Sequence, residues 1–260
     1  MRKIALSISE IKDIEKREFL RLGDSFKLME QAGEACAKQI IKIYKKNKFI
    51  VVCGPGNNGG DGLILSNCLS EHGKEVDLYC LGKSSYKGDS LKAYKKNKLK
   101  KKPLEELNIN QDAVIVDALF GIGLNKKIEG IFKECVDKIN NSRLKVIAVD
   151  IPSGIYGDNG KVMGEAIRAD VTLALHAKKL GHKMYPGSKL SGKIKIIDIK
   201  KKFKFDYVVD DFYLEKIAKE IPGSVDFKDQ DFYVSKSNEF SFLLLDSWPK
   251  WEKNFINLIM

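Results

Sequence analysis

The sequence predicts an α/β protein: a doubly wound, mostly parallel sheet with helices on both faces, an αβα arrangement of three layers. Two observations carry this. Short runs that are apolar throughout recur along the chain, and stretches with apolar residues at helical spacing separate them. Such runs suit strands buried on both faces, and their alternation with helices makes parallel βα units. A third observation is that glycine-rich or acidic turns follow three of the runs, at the strand ends where sheets of this kind bind ligands.

The elements follow in order. A helix is expected from Ser9 to Leu20. Asp24 is placed to cap a second helix running towards Tyr44, with Leu28, Met29, Ala32, Cys36 and Ile40 on one face. Phe49–Cys53 reads as a central strand, followed by a glycine-rich turn and a helix from about Gly60 to His72. Val76–Leu81, Ala113–Val116, Val146–Val149, Val171–Leu175 and Ile194–Ile197 supply five further strands.

Composition narrows the class. The 260 residues are 43% hydrophobic and 31% charged, too apolar for a disordered chain. No apolar stretch approaches the roughly 20 residues of a membrane-spanning helix. The start turns polar too soon for a secretion signal. The five cysteines are scattered and never spaced as CxxC, which argues against a disulfide framework or a zinc ribbon. These features place the protein in the cytoplasm.

Charge divides the chain. The net charge is +11, yet residues 205–260 hold 6 basic and 11 acidic residues and 12 of the 24 aromatics. Residues 1–204 are therefore read as one basic, glycine-punctuated domain, and 205–260 as an acidic, aromatic-rich extension of unknown role. Lysine clusters at Lys92–Lys102 and Lys200–Lys204 read as solvated surface, or as a funnel for a phosphorylated ligand or RNA.

Three strand ends carry chemistry. The first is Gly54-Pro55-Gly56-Asn57-Asn58-Gly59-Gly60-Asp61-Gly62. Its glycines permit positive φ and close backbone approach, and a helix start favours anions. Gly54, Gly56 and Gly59 satisfy GxGxxG, but Asp61 stands where a pyrophosphate would sit, which argues against a plain dinucleotide site. The second is Asp117-Ala118-Leu119-Phe120-Gly121-Ile122-Gly123-Leu124-Asn125-Lys126-Lys127, where Asp117 closes a strand and is expected to emerge at the crevice. The third is Asp150-Ile151-Pro152-Ser153-Gly154. Bringing Asp61, Asp117 and Asp150 to one sheet edge calls for a bound cation or a raised pKa. With only oxygen ligands nearby and three poorly placed histidines, a hard cation is indicated, and a carboxylate is the best acid/base candidate.

In order, CGPGNNGGDGL, DALFGIGL and VDIPSG resemble the NAD(P)H-hydrate epimerase family, also called the YjeF N-terminal domain family. Ala177–Gly181, Tyr185-Pro186-Gly187 and Gly192-Lys193-Ile194 are similar to its closing segment, so the resemblance spans about residues 5–204. It implies a Rossmann-like fold and interconversion of the R and S forms of C6-hydrated NADH or NADPH. A separate or fused ATP- or ADP-dependent dehydratase then restores the coenzyme. The resemblance also implies one potassium ion per subunit, held by Asn58, Asp117 and Ser153, and a homodimer. Substrate contacts would fall on Asn57, Asn58, Gly59, Gly60 and Asp61, on Gly121, Ile122, Gly123, Leu124, Asn125, Lys126 and Lys127, and on Asp150, the acid/base residue. Some relatives carry a catalytic lysine in the second loop; Asn125 occupies the aligned place here, with Lys126 one residue later. Residues 205–260 are too short for the dehydratase, so no dehydratase activity is expected. Two rival readings are a non-catalytic scaffold that binds RNA or a nucleotide, and an NAD-dependent oxidoreductase. Retention of the acidic strand ends favours an enzyme, since repelling carboxylates without a ligand cost stability.

Overall fold

The computed structural model describes residues 5–109, 112–197 and 199, so the expected extension at 205–260 and the Lys200–Lys204 cluster lie outside the described residues. Chain order runs β1 (Ala5–Leu6), α1 (Ile8–Leu22), α2 (Ser25–Ile43), β2 (Lys48–Cys53), α3 (Asn57–Glu71), β3 (Glu75–Cys80), α4 (Gly88–Lys96) and β4 (Lys101–Lys102). It continues with β5 (Val114–Ala118), α5 (Gly130–Asn141), β6 (Lys145–Val149), β7 (Val171–Leu175), β8 (Lys178–Lys179), α6 (Gly187–Leu190) and β9 (Lys193–Ile197).

Seven strands form one parallel sheet in the order β4-β3-β2-β5-β6-β7-β9. Side chains alternate across it and fill two cores. Phe49, Val51, Val116 and Leu173 pack with α2 and α3 on one face. Ile50, Val52, Ile115 and Ala148 pack with Cys135, Val136 and Ile139 of α5 on the other. Both faces are covered, which is why the strands read as unbroken apolar runs. The chain leaves β2 towards β3 and β4, then returns to place β5 on the other side of β2. The crevice at the ends of β2 and β5 is thus a topological switch point.

Local chemistry sets the helix boundaries. Ser7 and Glu10 form a reciprocal capping box on α1, which ends at Gly23 in the left-handed conformation (φ 69°). Asp24 accepts a hydrogen bond from the Phe26 N–H and starts α2, as the sequence indicates. A second, two-stranded sheet pairs β1 with β8. These strands and β4 have two residues each, too short to leave a periodicity in the sequence.

The glycine-rich segment departs from its expectation. Helix α3 begins at Asn57 rather than near Gly60, so Asn57–Asp61 form its first turns and not a loop. None of Gly54, Gly56, Gly59, Gly60 and Gly62 has a positive φ. Crowding is what demands glycine: a Cβ on Gly54 would lie 1.9 Å from the Leu119 carbonyl oxygen, and one on Gly59 1.7 Å from that of Gly54. Backbones of β2, α3 and the segment after β5 therefore meet without side chains between them.

Gly59→Ala should lower the unfolding free energy by about 3 kcal/mol or more, because the added methyl strikes backbone rather than a movable side chain. Gly82→Ala, where a Cβ meets open space at φ −64°, should change it by less than about 0.5 kcal/mol in the same urea titrations.

Candidate active site

The switch point gathers groups from four places. Asn58 and Asp61 lie in the first turns of α3, and both are buried. Neither polar atom of the Asn58 amide has a hydrogen-bond partner. A buried amide without partners is costly, and marks a position where a ligand atom completes the bonding. Gly121 leads away from β5, and a Cβ there would lie 3.1 Å from Asp150 Oδ2 and 3.2 Å from Asn58 Cγ. The missing side chain lets the Asn58 amide and the Asp150 carboxylate flank one point.

Asp150 follows β6 directly, and its backbone takes φ 69°, rare for a residue with a side chain. Its N–H donates to the Leu173 carbonyl across to β7 at 2.8 Å, which holds that conformation. Lys179 Nζ donates to Asp150 Oδ1, and also to the Leu175 carbonyl at 2.7 Å. Lys179 has no exposed surface. The Ile122 N–H approaches Asp150 Oδ2 at 3.4 Å, so the second loop does aim a backbone donor into the site. The remaining members of that loop divide: Leu124 is half-buried, while Gly123, Asn125, Lys126 and Lys127 are exposed.

Asp117 differs from its expectation. Strand β5 runs on through Ala118, so Asp117 sits inside the strand and is fully buried instead of emerging at the crevice. Its Oδ2 accepts the Ser153 N–H at 2.8 Å; its Oδ1 accepts the Ser153 hydroxyl at 2.6 Å and the Leu119 N–H at 3.2 Å. The Ser153 hydroxyl oxygen in turn accepts the Phe120 N–H at 2.8 Å and lies 3.1 Å from the Phe120 carbonyl. Burial outweighs these bonds and lifts the Asp117 carboxyl to about 6.

Carboxyl repulsion is resolved by two means. Burial, then the charges of Asp150 and Glu15, push Asp61 well above the usual carboxylate range, towards its protonated form. Lys179 supplies the counter-charge for Asp150. Among the described residues no three His, Cys, Asp or Glu side chains form a metal-binding group. The three carboxyls thus do not make a common metal site. The remaining oxygen donors are the Asn58 amide, a single carboxylate at Asp117, and the hydroxyl and carbonyl around Ser153. That low-charge set fits a monovalent cation better than a divalent one.

Four residues in and around the site were not singled out from the sequence. Glu15 and Glu18 share the buried stripe of α1 with Ile11 and Ile14; acidic residues on an apolar helical face were the available signal. Lys179 lay in a quoted segment, but a lone lysine there carried no pattern. His182 Nδ1 accepts the Lys179 N–H at 3.0 Å, and burial together with Lys179 and Lys178 keeps its ring neutral. In the Lys92–Lys102 cluster, Lys92 pairs with Asp89, Lys96 with Glu30 and Lys102 with Asp77, as solvated surface would.

A family profile described as "YjeF-related protein N-terminus" matches residues 25–181. The chain belongs to this family. Over 201 residues it is 33% identical to the NAD(P)H-hydrate epimerase of Lentilactobacillus buchneri, covering 75% of this chain and 94% of that protein. It is 37% identical over 200 residues to the bifunctional NAD(P)H-hydrate repair enzyme Nnr of Thermofilum pendens, covering 72% of this chain. Here the match spans only 38% of the longer protein. The crystal structure of yeast YNL200c shares the fold, with a TM-score of 0.61 at 20% identity over 91% of this chain and all of that one. No helix among the described residues is long and apolar enough to cross a membrane.

Lys179→Met should cost about 3–5 kcal/mol in stability, because it leaves Asp150 charged and buried without its cation. The double variant Lys179→Met/Asp150→Asn should lose less than the single Lys179→Met, a coupling that chemical denaturation of all four proteins in the cycle measures.

Proposed function

We propose that this chain is an NAD(P)H-hydrate epimerase, an isomerase that interconverts the R and S forms of NADH or NADPH hydrated at C6 of the nicotinamide ring. The observation that carries this reading is the meeting of the Asn58 amide, the Gly121 backbone and the Asp150–Lys179 ion pair at the switch point of the sheet. It occurs in a chain with relatives, matched over 94% and 86% of their own length, that are named for that activity.

The chemistry asks for little more. C6 carries a hydroxyl and is bonded to the ring nitrogen, so the C6–O bond breaks when an acid protonates the hydroxyl and the nitrogen lone pair forms the N1–C6 double bond. Water then adds to the opposite face and returns a proton. Asp150 is assigned the acid/base role. Asn57, Gly59, Gly60 and Asp61 line the substrate, and the Gly121–Lys127 loop receives the dinucleotide phosphates, with the exposed Lys126 and Lys127 adding attraction. Asn58, Asp117 and Ser153 would hold potassium, a cation that supplies fixed positive charge beside the bound substrate. Support for that part comes from the unpartnered Asn58 amide and the single carboxylate of the set. On the same reading the protein works in the cytoplasm as a homodimer, coupled to a separate or fused ATP- or ADP-dependent dehydratase.

One pure epimer of NADH hydrate, mixed with the protein and followed by chromatography, should yield the other epimer. Asp150→Asn should slow this by about a hundredfold or more. Failure of the wild-type protein to accelerate the exchange in potassium buffer would sink the assignment. Separately, potassium chloride at a hundredfold excess over Kd should stabilise the wild type by about 2.7 kcal/mol. Asn58→Ala should abolish that gain in thermal melts, with choline chloride at equal ionic strength as the control.

A further inference from the structure

Outside the residues given a part in the reaction so far, one side chain has the chemistry and the place for one. Glu15 is half-buried on the inward stripe of α1 and lines a cleft with Ser25, Met29, Asn57, Asp61 and His176. Asn57 and Asp61 belong to the proposed substrate contacts, so the Glu15 carboxyl opens into the same space. Glu15 stands on a helix, whereas Asp150 follows the end of β6, close enough for its charge to act on the Glu15 carboxyl. From those geometric facts we infer that Glu15 is a second acid/base residue of this site, exchanging a proton with the face of the nicotinamide ring that Asp150 does not serve. The inference rests on the epimerase reading.

Epimerisation itself requires two such groups. Water leaves C6 from one face and another adds to the opposite face, so a carboxyl that protonates the departing hydroxyl is badly placed to deprotonate the incoming water. When the carboxylic acid of Glu15 gives its proton, the C6–O bond breaks with both its electrons, and water and a ring cation result. When water attacks from the opposite side, its surplus proton goes to the other carboxylate and the nitrogen lone pair is restored. The reverse turnover exchanges the two roles, and no oxidant or reductant is consumed.

The surroundings tune Glu15 for this. Burial, and then the charge of Asp150, raise its pKa to about 7, while Lys179 and Lys12 oppose the rise. Facing it across the cleft are Asp61 from α3, whose carboxyl is pushed towards its protonated form, Asp89 from α4 and His176 after β7. A carboxyl near neutrality is half protonated at working pH, the condition under which it both gives and takes protons efficiently.

The test is the pH dependence of kcat and kcat/KM from pH 5 to 9, measured on one epimer of NADH hydrate with wild type, Glu15→Gln and Glu15→Asp. Glu15→Gln should lower kcat about a hundredfold with KM within twofold, and should erase the limb centred near pH 7. Glu15→Asp should restore part of the rate and a displaced limb. Stability gives an independent reading. A carboxyl raised in the folded state costs nothing below the unfolded pKa of about 4.5 and costs most above about 7. Glu15→Gln should therefore melt with wild type at pH 4 and above it at pH 8. An active wild type whose kcat and pH limb survive in Glu15→Gln overturns this inference alone; an inactive wild type overturns the epimerase reading along with it. A lost rate accompanied by a lower melting temperature at pH 8 also overturns it, by showing a structural partner.

Discussion

A lysine with no exposed surface needs a fixed anion, and the site is arranged around meeting that need. Lys179 finds Asp150 and the Leu175 carbonyl, and its own N–H is bonded to His182. Asp150 in turn has a left-handed backbone, held by the register of β6 against β7. Burial first, and then the charge of Asp150, push the neighbouring carboxyls of Asp61 and Glu15 towards their protonated forms, while Lys179 opposes that rise. The ion pair therefore acts on its neighbours' protonation as well as on the position of one carboxylate.

Much of this was legible in the chain itself. The central strands of the main sheet were legible because both faces are covered, which leaves each run largely apolar; the two-residue β4 was silent. The three strand ends of the proposed site were visible because glycine, proline and acidic residues there break the apolar pattern abruptly. What remained hidden had physical reasons. The start of α3 was obscured by glycines, whose poor helix propensity signals a turn. Here they are required by backbone contact with Leu119 and Gly54. Lys179 and Glu15 were hidden because their partners come from distant segments, and no local spacing encodes a pairing between β8, α1 and the end of β6.

Asp117 illustrates a related point. Reading a carboxylate at a strand end as solvent-facing assumes that the strand stops there, but β5 continues one residue further and the segment through Ser153 closes over it. The residue is bonded to Ser153, with which the family resemblance groups it. Its environment, however, is that of a core residue. Elements that carry function need not look exposed when a neighbouring loop folds back across the sheet.

The small sheet outside the main one links remote parts of the polypeptide. Ala5 and Leu6 pair with Lys178 and Lys179, and the Ile8 N–H is held by Asp158 at 2.6 Å. The first described residues are thus a brace on the very lysine that anchors the crevice. Proteolytic nicking or a bulky tag at the amino terminus would be felt some 170 residues away, as a loosened ammonium rather than as a frayed end.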